Sequence, residues 1–248
     1  MNHNSKPIIA PDTILRLDSL HAGYGELPVL HGITLAVQRG QIFSVVGANG
    51  AGKTTLLLTI SGHLPVRAGS VQFDGQDISR LAAHGAAERG LVLVPEGGRL
   101  FPFMTVLENL ELGAYHPKAR SHKAESLDEV LTRFPILAER RGQLAGRRSG
   151  GERPMCAVAR AMMARPKLLM LDEPSLGLAP IMVDKVFEMV RELVRSKGLS
   201  VLLVEQNVGN ALKLCGQGCI IEHGAILKMG RGEDLLRDPD VQRSYMGL

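Results

Sequence analysis

Apolar residues come in short bursts along this chain, and the spacing inside each burst predicts the element it forms. Ile33, Leu35 and Val37 alternate with neighbours that can face away, the period of a strand with one buried side, and Arg39-Gly40 marks the turn that ends it. Ile42–Val46 reads as a fully buried strand running into a glycine-rich loop. A helix is predicted over Lys53–Ile60, stopped by Ser61-Gly62. Residues 71–73 read as a strand closed by the tight turn Asp74-Gly75, and Leu91–Val94 as another buried strand. The character then changes. Thr105-Val106-Leu107-Glu108 has the spacing of a capping box, so a helix opens there, and residues 97–165 read as mostly helical. Strand patterning returns at 168–171, followed by a helix over 181–195 and a strand over 201–204. The end of the chain reads as a hairpin, 219–222 and 226–229 turning at His223-Gly224, and then short helices. The whole is an α/β domain interrupted by a helical insertion, and parallel strands in such domains carry ligand loops at their carboxyl ends.

Composition narrows the function classes. A length of 248 residues suits one large domain or one domain with an inserted unit. The net charge of +4 is compatible with a phosphate ligand or an anionic membrane surface and does not demand nucleic acid. With six Phe, three Tyr and no Trp there is little from which to build a base-stacking platform, so no nucleic-acid partner is expected. Cys156, Cys215 and Cys219 are too few and too unevenly spaced for a disulfide framework or a zinc site, and read as reduced thiols. No stretch approaches the ~18 apolar residues of a membrane span. Residues 1–12 lack a signal-peptide apolar segment and are expected to be a disordered leader. The expected location is the cytoplasm, with any membrane role exercised through a partner.

Three motifs carry chemistry. Gly47-Ala48-Asn49-Gly50-Ala51-Gly52-Lys53-Thr54 fits G-x-x-x-x-G-K-[ST] between a strand and a helix. Glycines there let backbone N–H groups wrap phosphates at a helix N-terminus. Lys53 is expected to reach the β- and γ-phosphates, Thr54 to ligate Mg²⁺, and Thr55 to contact a phosphate. Leu168-Leu169-Met170-Leu171-Asp172-Glu173 is an apolar strand that delivers two acids to the same side of the sheet. Asp172 is the expected Mg²⁺ partner, and Glu173 the general base for an attacking water. The third motif, Ser149-Gly150-Gly151-Glu152, opens a helix over about 153–164.

With SGGE lying between a P-loop and an acid-terminated strand, the chain resembles the ATPases of ABC transporters from about residue 14 to its end. The resemblance implies a P-loop NTPase fold with a RecA-like core, an antiparallel β subdomain and a helical subdomain at about 97–165, within one domain over 13–248. It implies ATP and Mg²⁺ as ligands. It also implies a head-to-tail dimer in which the Ser149–Glu152 stretch of one subunit closes on the γ-phosphate held by the other. Tyr24 stands where the family stacks an aromatic ring on adenine. Glu96 occupies the Q-loop position, usually Gln, which senses Mg²⁺ and the membrane partner, and Gln206 the switch position, usually His. Ser175-Leu176-Gly177-Leu178 replaces the usual Asp-ending D-loop. Phe101, Phe103 and Met104 fall on the surface that in the family receives a coupling helix of the membrane subunit.

These departures together resemble one subgroup, which contains the smaller ATPases of bacterial high-affinity branched-chain amino-acid importers. That subgroup implies transmembrane permease subunits as direct partners, a second ABC ATPase (identical or different), and a periplasmic or extracellular solute-binding protein reached indirectly. It places the chain on the cytoplasmic face of the cell membrane. Urea, amides and other solutes remain open as cargo, as does a role as the low-activity member of a heterodimer. A GTPase is disfavoured by the lack of an Asn-Lys-x-Asp motif, and a ribosome- or DNA-acting cassette protein by the single cassette.

Arg148, where the family usually has Leu, and Pro154, where it usually has Gln, are not explained by the subgroup. Both flank the SGGE turn, so slower turnover is expected than from a conventional sequence. Restoring Arg148→Leu together with Pro154→Gln is expected to raise the ATP hydrolysis rate of the purified protein, and an unchanged rate would refute the idea.

Overall fold

The computed structural model describes residues 12–147 and 151–246. The leader, apart from its last residue, and Arg148, Ser149 and Gly150 lie outside the described residues.

In chain order the strands are β1 (Thr13–Tyr24), β2 (Leu27–Gln38), β3 (Ile42–Val46), β4 (Ala68–Phe73), β5 (Gln76–Asp77), β6 (Leu91–Val94), β7 (Leu168–Asp172), β8 (Ser200–Glu205), β9 (Gln217–Glu222) and β10 (Ala225–Arg231). The helices are α1 (Lys53–Ile60), α2 (Ala83–Glu88), α3 (Val106–Gly113), α4 (Pro117–Arg120), α5 (Lys123–Arg133), α6 (Pro135–Glu139), α7 (Glu152–Met162), α8 (Pro180–Lys197), α9 (Val208–Leu214) and α10 (Gly232–Arg237), with short turns after it. Among the described residues, α3 to α7 follow one another without a strand between β6 and β7, as the helical reading of 97–165 expects.

Six strands form the central sheet in the order β10-β9-β3-β8-β7-β6. All its neighbours are parallel except the edge hairpin β9–β10. Both faces are covered, which is why β3, β7 and β8 read as near-continuous apolar runs. Alternate residues serve opposite cores. Ile42, Leu169, Leu171, Val201 and Leu203 pack with α3, α7, α8 and α9. Phe43, Val45, Leu168, Met170, Leu202 and Val204 pack with α1 and a second sheet. That sheet has the order β2-β1-β4-β5 and is antiparallel throughout. Each such fully buried aliphatic side chain contributes roughly 1.5–3 kcal/mol from burial.

The sequence pattern reads as short strands from Ile14 onward, whereas β1 and β2 are each 12 residues long. The reason is a bulge. Ser19 adopts φ 44° and donates its N–H to Thr34 Oγ1 at 2.9 Å, and the register shifts between Leu17 and Leu20. Buried positions therefore change phase from Leu15 and Leu17 to Leu20 and Ala22, and a period-two search loses the strand halfway.

Local signals elsewhere hold. The Thr105 hydroxyl accepts from the Glu108 N–H at 3.2 Å, while Glu108 accepts from the Thr105 N–H at 2.7 Å. Pro154 is the third residue of α7, inside the first turn, where no intrahelical bond is lost. His223 (φ 45°) and Gly224 (φ 73°) make the predicted turn between β9 and β10. This turn is also a brace. Gly224 donates to Ala51 O at 2.9 Å in the glycine-rich loop and accepts from His31 N–H at 2.8 Å in β2. A Cβ at Gly224 would lie 1.7 Å from Val29 O. Gly224→Ala is therefore expected to cost roughly 2 kcal/mol or more, read as a lower denaturation midpoint; an unchanged midpoint would show that the brace yields.

Candidate active site

The loop between β3 and α1 is shaped by close backbone approach. A Cβ at Gly47 would lie 2.3 Å from Ile221 O of β9, and Gly50 (φ 80°) and Gly52 (φ 104°) are left-handed. The backbone therefore wraps over the end of α1 with Ala48, Asn49 and Gly50 exposed. No side chain caps that helix and no acid sits in its first turn, so the positive end of the helix is available to an anion. Lys53 is buried beneath the loop. Its ammonium donates to Gly47 O at 2.8 Å and Ala48 O at 3.0 Å, and lies 3.1 Å from Glu173 Oε1. A buried cation requires such partners.

Opposite stand the acids at the end of β7. Asp172 Oδ1 accepts from the Thr54 hydroxyl at 3.4 Å. Burial pushes the Asp172 carboxyl above the usual range; the Thr54 bond opposes this, and the charges of Glu173 and Glu96 add to it. Glu173 holds a left-handed backbone (φ 45°) with its N–H donating to Val204 O at 2.9 Å, so the last ladder rung is kept while the chain turns away. Glu205, at the end of β8, is buried nearby and is likewise pushed up, first by burial. Carboxylates thus outnumber Lys53. A hydroxyl and a carboxylate side by side, in a site short of positive charge, suit a hard divalent cation that completes its shell with water and phosphate oxygens. Behind the acids, Val94, Gly97, Pro154, Asp172, Glu173 and Leu178 share a cavity of about 250 Å³.

Residues 30–176 match the family model described as ABC transporter. The chain belongs to that family. Among curated relatives of this ABC ATPase, the high-affinity branched-chain amino acid transport ATP-binding protein BraG of Pseudomonas aeruginosa is 42% identical, over 94% of this chain and 100% of that protein. The probable branched-chain amino acid transport ATP-binding protein LivF of Archaeoglobus fulgidus is 35% identical, over 95% of this chain and 99% of that protein. The lipopolysaccharide export system ATP-binding protein LptB of Haemophilus influenzae is also 35% identical, over 95% and 98%. A nucleotide-free ATP-binding cassette from an ABC transporter superposes with a TM-score of 0.82 at 29% identity, covering 92% of this chain and 97% of that one. The ADP conformation of another such cassette gives 0.81 at 29%, covering 95% and 99%. Among the described residues of the ABC ATPase, no helix is long and apolar enough to cross a membrane.

The structure brings Gly47 to Thr55, Asp172 and Glu173 into one site, with Tyr24 beside it: the Thr55 hydroxyl donates to the Tyr24 oxygen at 3.4 Å, and the ring is half exposed. Glu96 is exposed at the mouth, close enough to act on Asp172 electrostatically. Gln206 is also exposed. Gly151 and Glu152 begin α7. Gly151 is packed against α8, where a Cβ would lie 2.0 Å from Met182 Cε, and the Glu152 carboxylate pairs with Arg140. Its side chain is therefore engaged within the helical unit. Ser149 and Gly150 are outside the described residues.

Two neighbours of the site escaped the sequence reading. Arg160, on α7, donates to Gly98 O at 2.7 Å and Arg99 O at 3.0 Å, and its guanidinium lies 5.9 Å from the centre of the Phe101 ring. It clamps a stretch in which Gly97 (φ 70°), Gly98 (φ 68°) and Arg99 (φ 38°) are all left-handed. The Gly97-Gly98 pair after β6 was the available signal. Glu205, an acid closing an apolar strand, was the other. A raised carboxyl pKa means that the folded protein holds its proton more tightly than the unfolded chain, so Asp172 detracts from stability above its folded pKa and ceases to do so as pH falls through it. Asp172→Asn is accordingly expected to raise Tm at pH 7 and to lose that advantage towards pH 4; a lower Tm at pH 7 would contradict the burial argument.

Proposed function

We propose that this chain binds and hydrolyses ATP with Mg²⁺ to drive uptake of branched-chain or related amino acids through permease subunits in the membrane. The observation that carries the chemistry is the Lys53–Glu173 pair beside Asp172 and Thr54. Backbone N–H groups of the Gly47–Gly52 loop and Lys53 bind the phosphates, Thr55 adds a hydroxyl, and Tyr24 stacks on adenine. Thr54 and Asp172, assisted by Glu96, hold Mg²⁺, which when bound offsets phosphate charge. A phosphate that recruits Lys53 also releases Glu173 from its ion pair. The freed carboxylate then orients water and accepts its proton. Gln206 donates an amide hydrogen bond towards the γ-phosphate and leaves proton transfer to Glu173. The Ser149–Glu152 turn of a second ABC ATPase closes the site from across the dimer, its N–H groups meeting the terminal phosphate.

Import is favoured over export by the higher identity to BraG than to LptB, 42% against 35%, each over nearly full length. The exposed Phe101, Phe103 and Tyr115 suit a permease segment. The chain then sits on the cytoplasmic face of the membrane through its permeases, with the solute-binding protein on the far side.

Glu173→Gln is expected to keep ATP affinity and lower kcat by about 10²-fold or more. Light scattering after size exclusion is expected to show a dimer of this variant with ATP and a monomer with ADP. A variant that still turns over at the wild-type rate would remove Glu173 from the mechanism. A monomer that binds ATP would mean that dimerisation needs a second, different ATPase or the membrane subunits. Lys53→Ala is expected to lose ATP binding altogether, read by titration with a fluorescent ATP analogue.

A further inference from the structure

We propose that Glu205 is a positioning residue for hydrolysis: its buried carboxylate ties the loop after Glu173 to the end of β8, directly before Gln206 at the switch position, and so fixes the backbones that carry these two residues relative to each other. The inference rests on reading Lys53, Asp172 and Glu173 as an ATPase site.

Glu205 ends a strand whose preceding four residues are all apolar, and it is only 2% exposed. Packing alone would be served by another aliphatic residue there. Its bonding explains the acid. One carboxylate oxygen accepts from the Ser175 N–H at 3.0 Å. This donor is neutral, so the acid is held by the backbone of the neighbouring loop. Gln206, at the switch position, follows Glu205 directly in the chain.

The position of these bonds gives them meaning. Strands β7 and β8 pair in register as far as Asp172 and Val204, and Glu173 N–H still reaches Val204 O. At Glu173 the chain turns left-handed and the backbones part. The Glu205 side chain then supplies the next rung, catching Ser175 two residues beyond Glu173. Because Gln206 follows Glu205 directly, the two loops that carry Glu173 and Gln206 share one anchor. Ser175 in turn starts a tight turn, with the Leu178 N–H donating to its carbonyl at 3.2 Å, so the anchor fixes the start of the 175–178 loop as well. Glu205 touches neither nucleotide nor water in this scheme; it acts through Glu173 and Gln206.

The test compares wild type, Glu205→Leu and Glu205→Gln in the full chain, measuring Mg-ATP affinity with a fluorescent analogue, steady-state kcat and KM, and Tm. The expected result for Glu205→Leu is a kcat lower by about ten-fold or more with affinity within about two-fold of wild type. Glu205→Gln, whose amide oxygen still accepts from Ser175, is expected to recover most of kcat. A Glu205→Leu protein with unchanged kcat overturns the proposal, as does a parallel loss of affinity, Tm and kcat that Glu205→Gln does not relieve, since that pattern marks a purely structural role. A wild-type protein that does not hydrolyse ATP removes the ATPase reading and this proposal together, whereas an active wild type with an insensitive Glu205→Leu removes this proposal alone.

Discussion

Everything near the phosphate loop is organised around one buried ammonium. Lys53 comes out of water on the first turn of α1, and its charge has to be matched where it lies. Two carbonyls of its own loop and the carboxylate of Glu173 do so, which requires that the loop fold back over the helix end and that β7 end level with β3. The first requirement explains the left-handed glycines Gly50 and Gly52 and the missing side chain at Gly47. The second is met by the sheet itself, because β3, β8 and β7 are adjacent parallel strands whose carboxyl ends share one edge. The ion pair also fixes the Glu173 carboxylate at the end of β7, against the underside of the loop.

Sequence was most informative where local chemistry and global fold agree. The bounds of β3, α1 and β6, the Thr105 capping box and the His223-Gly224 turn all follow from residue type and spacing, and the structure has them where the pattern puts them. The grouping of Lys53, Thr54, Asp172 and Glu173 was equally legible, since a P-loop and an acid-terminated strand belong to one parallel sheet, here on either side of β8. Legibility failed where a feature depends on partners distant in the chain. The bulge at Ser19 hides half of β1 from any periodicity search. Arg160 lies 62 residues from the Gly98 carbonyl it holds, and Glu205 30 residues from Ser175. An arginine on a helix and a glutamate after four aliphatic residues carry no local mark of such bonds.

The helical insertion and the core meet through specific polar contacts as well as packing. Arg160 grips the left-handed turn at Gly98 and Arg99 from α7, the same helix that begins at Gly151 against Met182 of α8. A Cβ at Gly98 would approach Ala157 Cβ to 2.7 Å, so the turn rests directly on that helix. The two ends of α7 are thereby attached to different parts of the molecule, Met182 of α8 at one and the Gly98–Phe101 stretch at the other.

The loop bearing that surface is built from inside. Asn109, fully buried, accepts from the Phe101 N–H at 2.9 Å and donates to the carbonyls of Phe101 at 3.0 Å and Thr105 at 2.9 Å, while Phe103 stands 91% exposed between them. Shape and surface are therefore assigned to different residues: one inward amide sets the curve of the backbone, and the Phe103 ring is left to the outside. Substitution at position 103 can therefore change the surface of this loop without remaking the curve of the backbone beneath it.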